Sequence, residues 1–218
     1  MGAGTGLCSV VAALSCALGG GLAPKQILCT DVGTKVLDLC RRNLKENASL
    51  LRERSVRTKL RVAEVDFLTY DDRLSVDVYD ADADDYEGGV ALLPLLRSAT
   101  TIFAADVIFD ADVTEGLFHL LVDVMTNVDP ARLIPKKTLY LAMEKRVVFS
   151  IYDDADESSS SSPIYDHFAA CLEGLLAMEF ANGKFTAEKI DTDFFQCFYQ
   201  NYERSDFLEL WSLSFEFE

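Results

Sequence analysis

Met1-Gly2-Ala3-Gly4-Thr5-Gly6-Leu7 opens the chain and decides how the rest is read. Three alternating glycines give a backbone with no Cβ shield, so a ligand can lie against the main chain. The turn leads straight into an apolar helical pattern from Leu7 to Leu18, whose unpaired N–H groups point back toward the same place. This is the layout of a nucleotide-type cofactor site. Such a turn ordinarily follows a buried strand, and here the chain begins at the turn itself.

Working outward, the sequence alternates strand and helix. Gly19-Gly20-Gly21 stops the first helix and Pro24 starts the next element. Gln26 to Thr30 is a short apolar strand ending at Asp31, and Lys35 to Asn47 is an amphipathic helix with Val36, Leu37, Cys40 and Leu44 at helical spacing. Lys59 to Val65 alternates as a strand and runs into Asp66-Phe67. Thr100–Val107 is a buried-strand candidate with Asp106 near its end. Val113–Val128 is helical, and Thr138–Met143 is a strand ending in Glu144-Lys145-Arg146. Tyr165–Met178 is helical, then Phe185–Ile190 and Phe207–Phe217 alternate as an antiparallel pair. The order predicts an α/β fold with a mostly parallel sheet covered by helices and antiparallel strands at its C-terminal end. One domain over 1–218 is the expectation for a chain of this length.

Two stretches stand apart. The acidic insertion 77–89 carries Asp77, Asp80, Asp82, Asp84, Asp85 and Glu87, and reads as a solvated loop. Its Asp-x-Asp-x-Asp spacing resembles a calcium loop, but Asp85 stands where that loop needs glycine and Ala91 where it needs glutamate. The Asp/Ser-rich segment 153–162 reads as a flexible loop.

The totals set limits. With 36 acidic against 20 basic residues, a net charge of −16 argues against a nucleic-acid backbone as partner and suits a basic protein substrate. No apolar run is long enough to span a membrane. Six cysteines without a C-x-x-C pair point to a reducing intracellular compartment, cytoplasm or nucleus, and two histidines give no basis for a histidine-rich metal site. A monomer is expected.

In α/β sheets ligands bind beyond the C-terminal strand ends. Asp31, Asp66, Asp106 and Glu144 each follow a different strand candidate. The dinucleotide fingerprint G-x-G-x-x-G is absent, since Leu7 and Ser9 occupy the last glycine position in the two possible frames. G-x-G-x-G suits a cofactor without phosphate. Asp31 is placed to take two ribose hydroxyls, and Asp66 to accept from an adenine amino group with Phe67 beside the base. Together these describe S-adenosylmethionine. Bland readings compete at every position: Asp31 or Asp106 as a helix cap, Asp66 as a turn residue, Phe67 and Phe109 as core aromatics, and Glu144 as half of an ion pair with Lys145 or Arg146.

The same residues resemble a known family. Gly2-Ala3-Gly4-Thr5-Gly6-Leu7 resembles the first motif of the seven-strand methyltransferases. Glu64-Val65-Asp66-Phe67-Leu68 is similar to the E-x-D-W segment of their protein-lysine branch, family 16, and Asp106-Val107-Ile108-Phe109 to its D-x-x-Y motif; phenylalanine replaces tryptophan and tyrosine respectively. The resemblance implies a Rossmann-like seven-strand sandwich that binds S-adenosylmethionine and methylates a protein lysine. It places Gly2, Gly4, Gly6, Asp31, Asp66, Phe67 and Ala105 at the cofactor. Asp106 would orient the lysine, Phe109 would wall its channel, and Glu144 would contact substrate. It also implies that the first strand of the sheet is missing, so residues 1–218 alone are expected to fold poorly or bind cofactor weakly. Phe109 in place of tyrosine keeps a second reading open, an inactive methyltransferase-like fold serving as an interaction module.

Overall fold

The computed structural model describes residues 1–18, 24–54, 56–71, 74–127, 134–146, 148–149, 160–193 and 204–218. The glycine stop at 19–21, Cys197 and residues 153–159 of the serine-rich segment lie outside them. The chain divides into two compact units, Met1–Leu96 and Arg97–Glu218.

In the first unit, helix α1 (Leu7–Leu18) turns Val10 and Ala13 inward while Leu7 and Val11 stay exposed. The chain continues through β1 (Gln26–Asp31), α2 (Thr34–Glu53) and β2 (Lys59–Glu64). Leu37, Cys40, Leu44, Ala48 and Leu51 fall on one face of α2 and are buried, the i, i+3, i+4 pattern of a helix covering a core. Asn47 does not end this helix, as its position suggested. Its side chain bonds back to the Asn43 carbonyl at 2.8 Å and the helix runs on to Glu53. β1 and β2 pair in parallel, Gln26 opposite Lys59 and Asp31 opposite Glu64, so their acidic C-terminal ends emerge side by side.

The acidic insertion is not a solvated loop. It forms a hairpin, β3 (Ser75–Asp80) and β4 (Asp85–Ala91), with β3 antiparallel to β2. Its acids meet the basic residues of α2 and β2: Lys45 with Asp84 at 2.6 Å, Arg52 with Asp82 at 3.8 Å, Lys59 with Asp80 at 3.9 Å, and Arg61 with Glu87. The Arg41 guanidinium lies 5.4 Å from the Tyr86 ring centre. Val78 and Tyr79 are buried beneath, and the Tyr79 hydroxyl donates to Asp84 at 2.8 Å. Burial, with that bond second, pushes the Tyr79 pKa up to about 12. Charge count alone suggested repulsion; partners distant in sequence reverse it. A short helix, α3 (Leu92–Arg97), follows.

The second unit is a four-stranded sheet in the order β5 (Thr101–Ala105), β6 (Lys136–Glu144), β10 (Leu208–Phe217), β9 (Gly183–Ile190). β5 and β6 are parallel; β10 is antiparallel to both β6 and β9. Helices α4 (Ala111–Thr126) and α5 (Pro163–Ala177) supply Leu117, Leu120, Leu121, Val124, Phe168, Leu172 and Leu175 to the core, with Leu139, Leu141 and Met143 of β6 and Leu213 and Phe215 of β10. Residues 160 and 161, expected within a loop, pair as β8 (Ser160–Ser161) with β7 (Val148–Phe149). Parallel pairing is thus confined, among the described residues, to β1–β2 and β5–β6, less than the mostly parallel sheet the element order suggested. The antiparallel β3–β4 hairpin, hidden in the acidic stretch, and the β7–β8 pair account for the added antiparallel strands, and the described strands form two four-stranded sheets rather than one. The architecture is mixed α/β in both units, which fits a methyltransferase fold.

Lys137 is fully buried in this unit. Its ammonium donates to the carbonyls of Val124 at 2.7 Å, Asn127 at 2.6 Å and Arg97 at 2.7 Å. Three acceptors match the three protons of an ammonium, and two of them lie at the C-terminal end of α4, where carbonyls lack helical partners. Burial, with Arg97 second, pushes the Lys137 pKa down to about 8.

Candidate active site

The glycine turn is built by its own backbone and by Asp31. Gly2, Gly4 and Gly6 all have positive φ, at 61°, 54° and 79°. The Ala3 N–H donates to the Thr30 carbonyl at 2.9 Å, which fastens the turn to β1. Asp31 Oδ2 accepts from the Gly4 N–H at 2.7 Å and Oδ1 from the Val32 N–H at 2.8 Å. The glycines have distinct duties. A Cβ on Gly6 would stand 3.0 Å from Cys40 Sγ and 3.2 Å from Leu44 Cδ2, so Gly6 is needed for packing on α2. A Cβ on Gly4 would meet nothing within 4 Å, which leaves that backbone face open to a ligand. The Cys29 thiol hydrogen-bonded to it, followed by burial, pushes the Cys40 pKa up, so Cys40 beneath the turn stays a thiol.

Asp31 does not cap α2. Gly33 holds that position without a side-chain bond, and its N–H donates to Glu64 Oε1 at 3.0 Å. Glu64 was not singled out as a site residue. The parallel register sets it beside Asp31, and the only sequence signal was its place as the first acid of the Glu64-x-Asp66 segment. Each oxygen of a carboxylate has two acceptor directions, so Asp31 can still take a hydroxyl while it holds the turn. Thr30, only 2% exposed, has a hydroxyl without a hydrogen-bond partner among the described residues. Asp66 serves a turn in this structure: Oδ1 accepts from the Leu68 N–H at 2.9 Å and its carbonyl accepts from the Tyr70 N–H at 3.1 Å. Phe67 is half-buried beside it.

In the second unit the predicted residues cluster at the ends of β5 and β6. Asp106 is a non-glycine residue at φ 54°, pinned by its N–H donating to the Ala142 carbonyl at 2.9 Å. Such left-handed backbone costs about 1 kcal/mol or more and gathers at functional positions. Asp106 is not the cap of the next helix. Asp110 is, accepting from the Val113 N–H at 3.0 Å. Phe109 is 49% exposed and therefore no core aromatic, and Ala105 is exposed. Glu144 pairs with neither Lys145 nor Arg146; Oε1 accepts from the Ser205 hydroxyl at 2.9 Å. The two cations are used elsewhere. Arg146 Nη2 donates to both Asp106 oxygens, at 3.0 and 3.2 Å, and Lys145 Nζ lies 4.4 Å from the Tyr165 ring centre.

One buried carboxylate close by went unnoticed in the sequence. Glu209, 8% exposed, accepts from Lys189 at 2.6 Å, Trp211 Nε1 at 2.9 Å and the Tyr165 hydroxyl at 3.0 Å. Burial pushes its pKa up, but the three donors outweigh it and hold the pKa below the usual carboxylate range. Nothing in strand alternation distinguishes such an acid from a solvent-facing one.

A bare glycine turn held by an acidic strand end, in a mixed α/β chain, is an arrangement that nucleotide-binding α/β proteins also use. Comparison with known proteins carries this further. The chain is 31% identical over 213 residues to methyltransferase-like protein 22 of Homo sapiens, covering 98% of this chain and 46% of that protein. It is 32% identical over 216 residues to methyltransferase-like protein 22 of Mus musculus, covering 99% of this chain and 48% of that protein. The chain thus spans about half the length of these relatives. No family model matches it. With identity of this order along nearly its whole length, the chain is similar throughout to part of these methyltransferase-like proteins.

Proposed function

We propose that the protein transfers a methyl group from S-adenosylmethionine to the side-chain amine of a lysine in a protein substrate, as the family 16 protein-lysine branch does. The observation that carries the cofactor half is the glycine turn. Gly4 has an open backbone face, and the carboxylate of Asp31 both shapes the turn and retains acceptor capacity for a sugar hydroxyl. Gly2, Gly4, Gly6, Asp31, Asp66 and Phe67 of the first unit are the residues that would hold the cofactor. When bound, it supplies an electrophilic methyl on a positively charged sulfur.

The protein's own task is then positional. Asp106 offers a fixed carboxylate on which an amine is oriented, and Arg146 already shows that a cationic nitrogen fits both of its oxygens. Alignment of nucleophile and methyl is worth several kcal/mol without any further chemistry. Phe109 presents an exposed ring beside Asp106, suited to a cation or an alkyl stem. Glu144 is a second acid for contacts around the target lysine. A basic substrate protein matches the net charge of −16, and the proposed enzyme is a monomer that acts in the cytoplasm or nucleus.

The test is transfer of radiolabelled methyl from S-adenosylmethionine to histone or lysate proteins, with acid hydrolysis to identify the modified side chain. Label in methyl-lysine is expected. Cofactor binding without transfer to any protein would favour the interaction-module reading, which the phenylalanine at 109 supports.

A further inference from the structure

Arg146 was expected to be a surface cation beside Glu144. The structure gives it a different place. A single nitrogen, Nη2, sits between the two oxygens of Asp106, the carboxylate proposed to orient the substrate. Both chain segments are fixed. The Arg146 carbonyl accepts from the Ser162 hydroxyl at 2.7 Å at the start of α5. One residue earlier, the Lys145 N–H donates to the Phe207 carbonyl at 2.9 Å, and its ammonium rests on Tyr165, itself tied to buried Glu209. Asp106 is held on its side by the bond to the Ala142 carbonyl. Glu144, the other acid at this edge, is engaged by Ser205. Two anchored backbones therefore deliver one guanidinium to one carboxylate.

We infer that Arg146 is a specificity-determining residue: it is the resident counter-ion of Asp106, and a substrate side chain reaches that carboxylate by exchanging with it. The inference rests on the proposed lysine methyl transfer. Guanidinium stays charged at every relevant pH, so Asp106 always has a cation to give up. A neutral side chain offers nothing in return for the lost pair and is turned away. A charged ammonium restores it and is admitted. The exchange is cheap because both partners are open to water, with side chains 54% and 66% exposed. Arg146 thus sets a threshold for entry without blocking the site.

The test uses the full chain with isotopic label on its aspartate carboxylates, titrated with N-acetyl-lysine methylamide and with the norleucine analogue. The lysine probe is expected to shift the Asp106 signal in wild type. It should bind about two- to fivefold more tightly to Arg146→Gln, the range an exposed ion pair is worth. Arg146→Lys should restore wild-type affinity, Asp106→Asn should lose binding, and norleucine should not bind. Equal affinity of wild type and Arg146→Gln, with binding still lost in Asp106→Asn, would overturn the role of Arg146 and leave the proposed function standing. If the lysine probe leaves Asp106 unmoved while S-adenosylmethionine still shifts the Asp31 signal, orientation at Asp106 is wrong and the inference falls. If S-adenosylmethionine binds nowhere, the methyltransferase reading itself fails.

Discussion

Gly4 and Gly6 differ by two positions and should differ sharply in what they tolerate. Gly6→Ala combines a positive φ with contacts at 3.0 and 3.2 Å on Cys40 and Leu44. It is expected to lower stability by about 2–3 kcal/mol in urea melts. Gly4→Ala meets open space, so it should cost only the backbone term, about 1 kcal/mol. Its larger effect should appear as weakened S-adenosylmethionine binding in a calorimetric titration. Equal melting for the two variants would show that the turn is not packed on α2 as described. Asp106→Asn should separate the same two properties in the second unit. Its partner is exposed, so stability should move by less than about 0.5 kcal/mol. Methyl transfer should fall about a hundredfold, the usual penalty for a misaligned nucleophile.

The elements carry two buried polar assemblies that the proposed chemistry does not use. Lys137 ties the end of α4 to β6 through three carbonyls. Lys137→Met keeps the stem but leaves those acceptors unpaired, and should destabilise by about 3 kcal/mol or more, read from urea unfolding. Glu209 joins α5, β9 and β10, and its folded pKa lies below its unfolded value. The unfolded chain therefore takes up that proton first as pH drops. The stability Glu209 contributes is complete above its unfolded value near 4.5 and is lost as pH falls through the lower folded value. Denaturation midpoints of wild type and Glu209→Gln should differ at pH 7 and draw together as pH falls below 4.5 and on through the lower folded value. A constant gap across that range would assign the effect to packing.

At the scale of the whole molecule, 36 acidic against 20 basic residues create a negative field of the kind that would steer the basic substrate proposed above. Part of the acidic charge is already spent internally, since Asp80, Asp82, Asp84 and Glu87 pair with Lys59, Arg52, Lys45 and Arg61. Neutralising those four acids should therefore loosen the β3–β4 hairpin more than it changes capture of a lysine-rich peptide. Capture by the intact chain should still weaken severalfold between about 20 and 300 mM salt as screening shortens. The peptide KM measured at both concentrations checks this, and a salt-independent KM would remove net charge from the account of substrate choice.

Most of the strand and helix alternation, the burial of Leu37, Cys40 and Leu44 on α2, and the strand-end position of Asp31, Asp106 and Glu144 were legible in the chain, because they follow from periodicity and from local turn chemistry; the β3–β4 hairpin was not, and Val36 turns outward. The glycine turn was legible too, because glycine adopts positive φ without the steric cost that a Cβ brings. What a side chain touches was not legible. Asp106 finds Arg146 forty residues on, Glu209 finds Tyr165, and the acids of β3 and β4 find the bases of α2 and β2. Those pairings depend on strand register and on which helix face lies beside which strand, and both are settled by packing of the whole unit. The sequence by itself determined the class of fold and the glycine turn; only the tertiary structure decided which charges meet, because charge has no period along the chain.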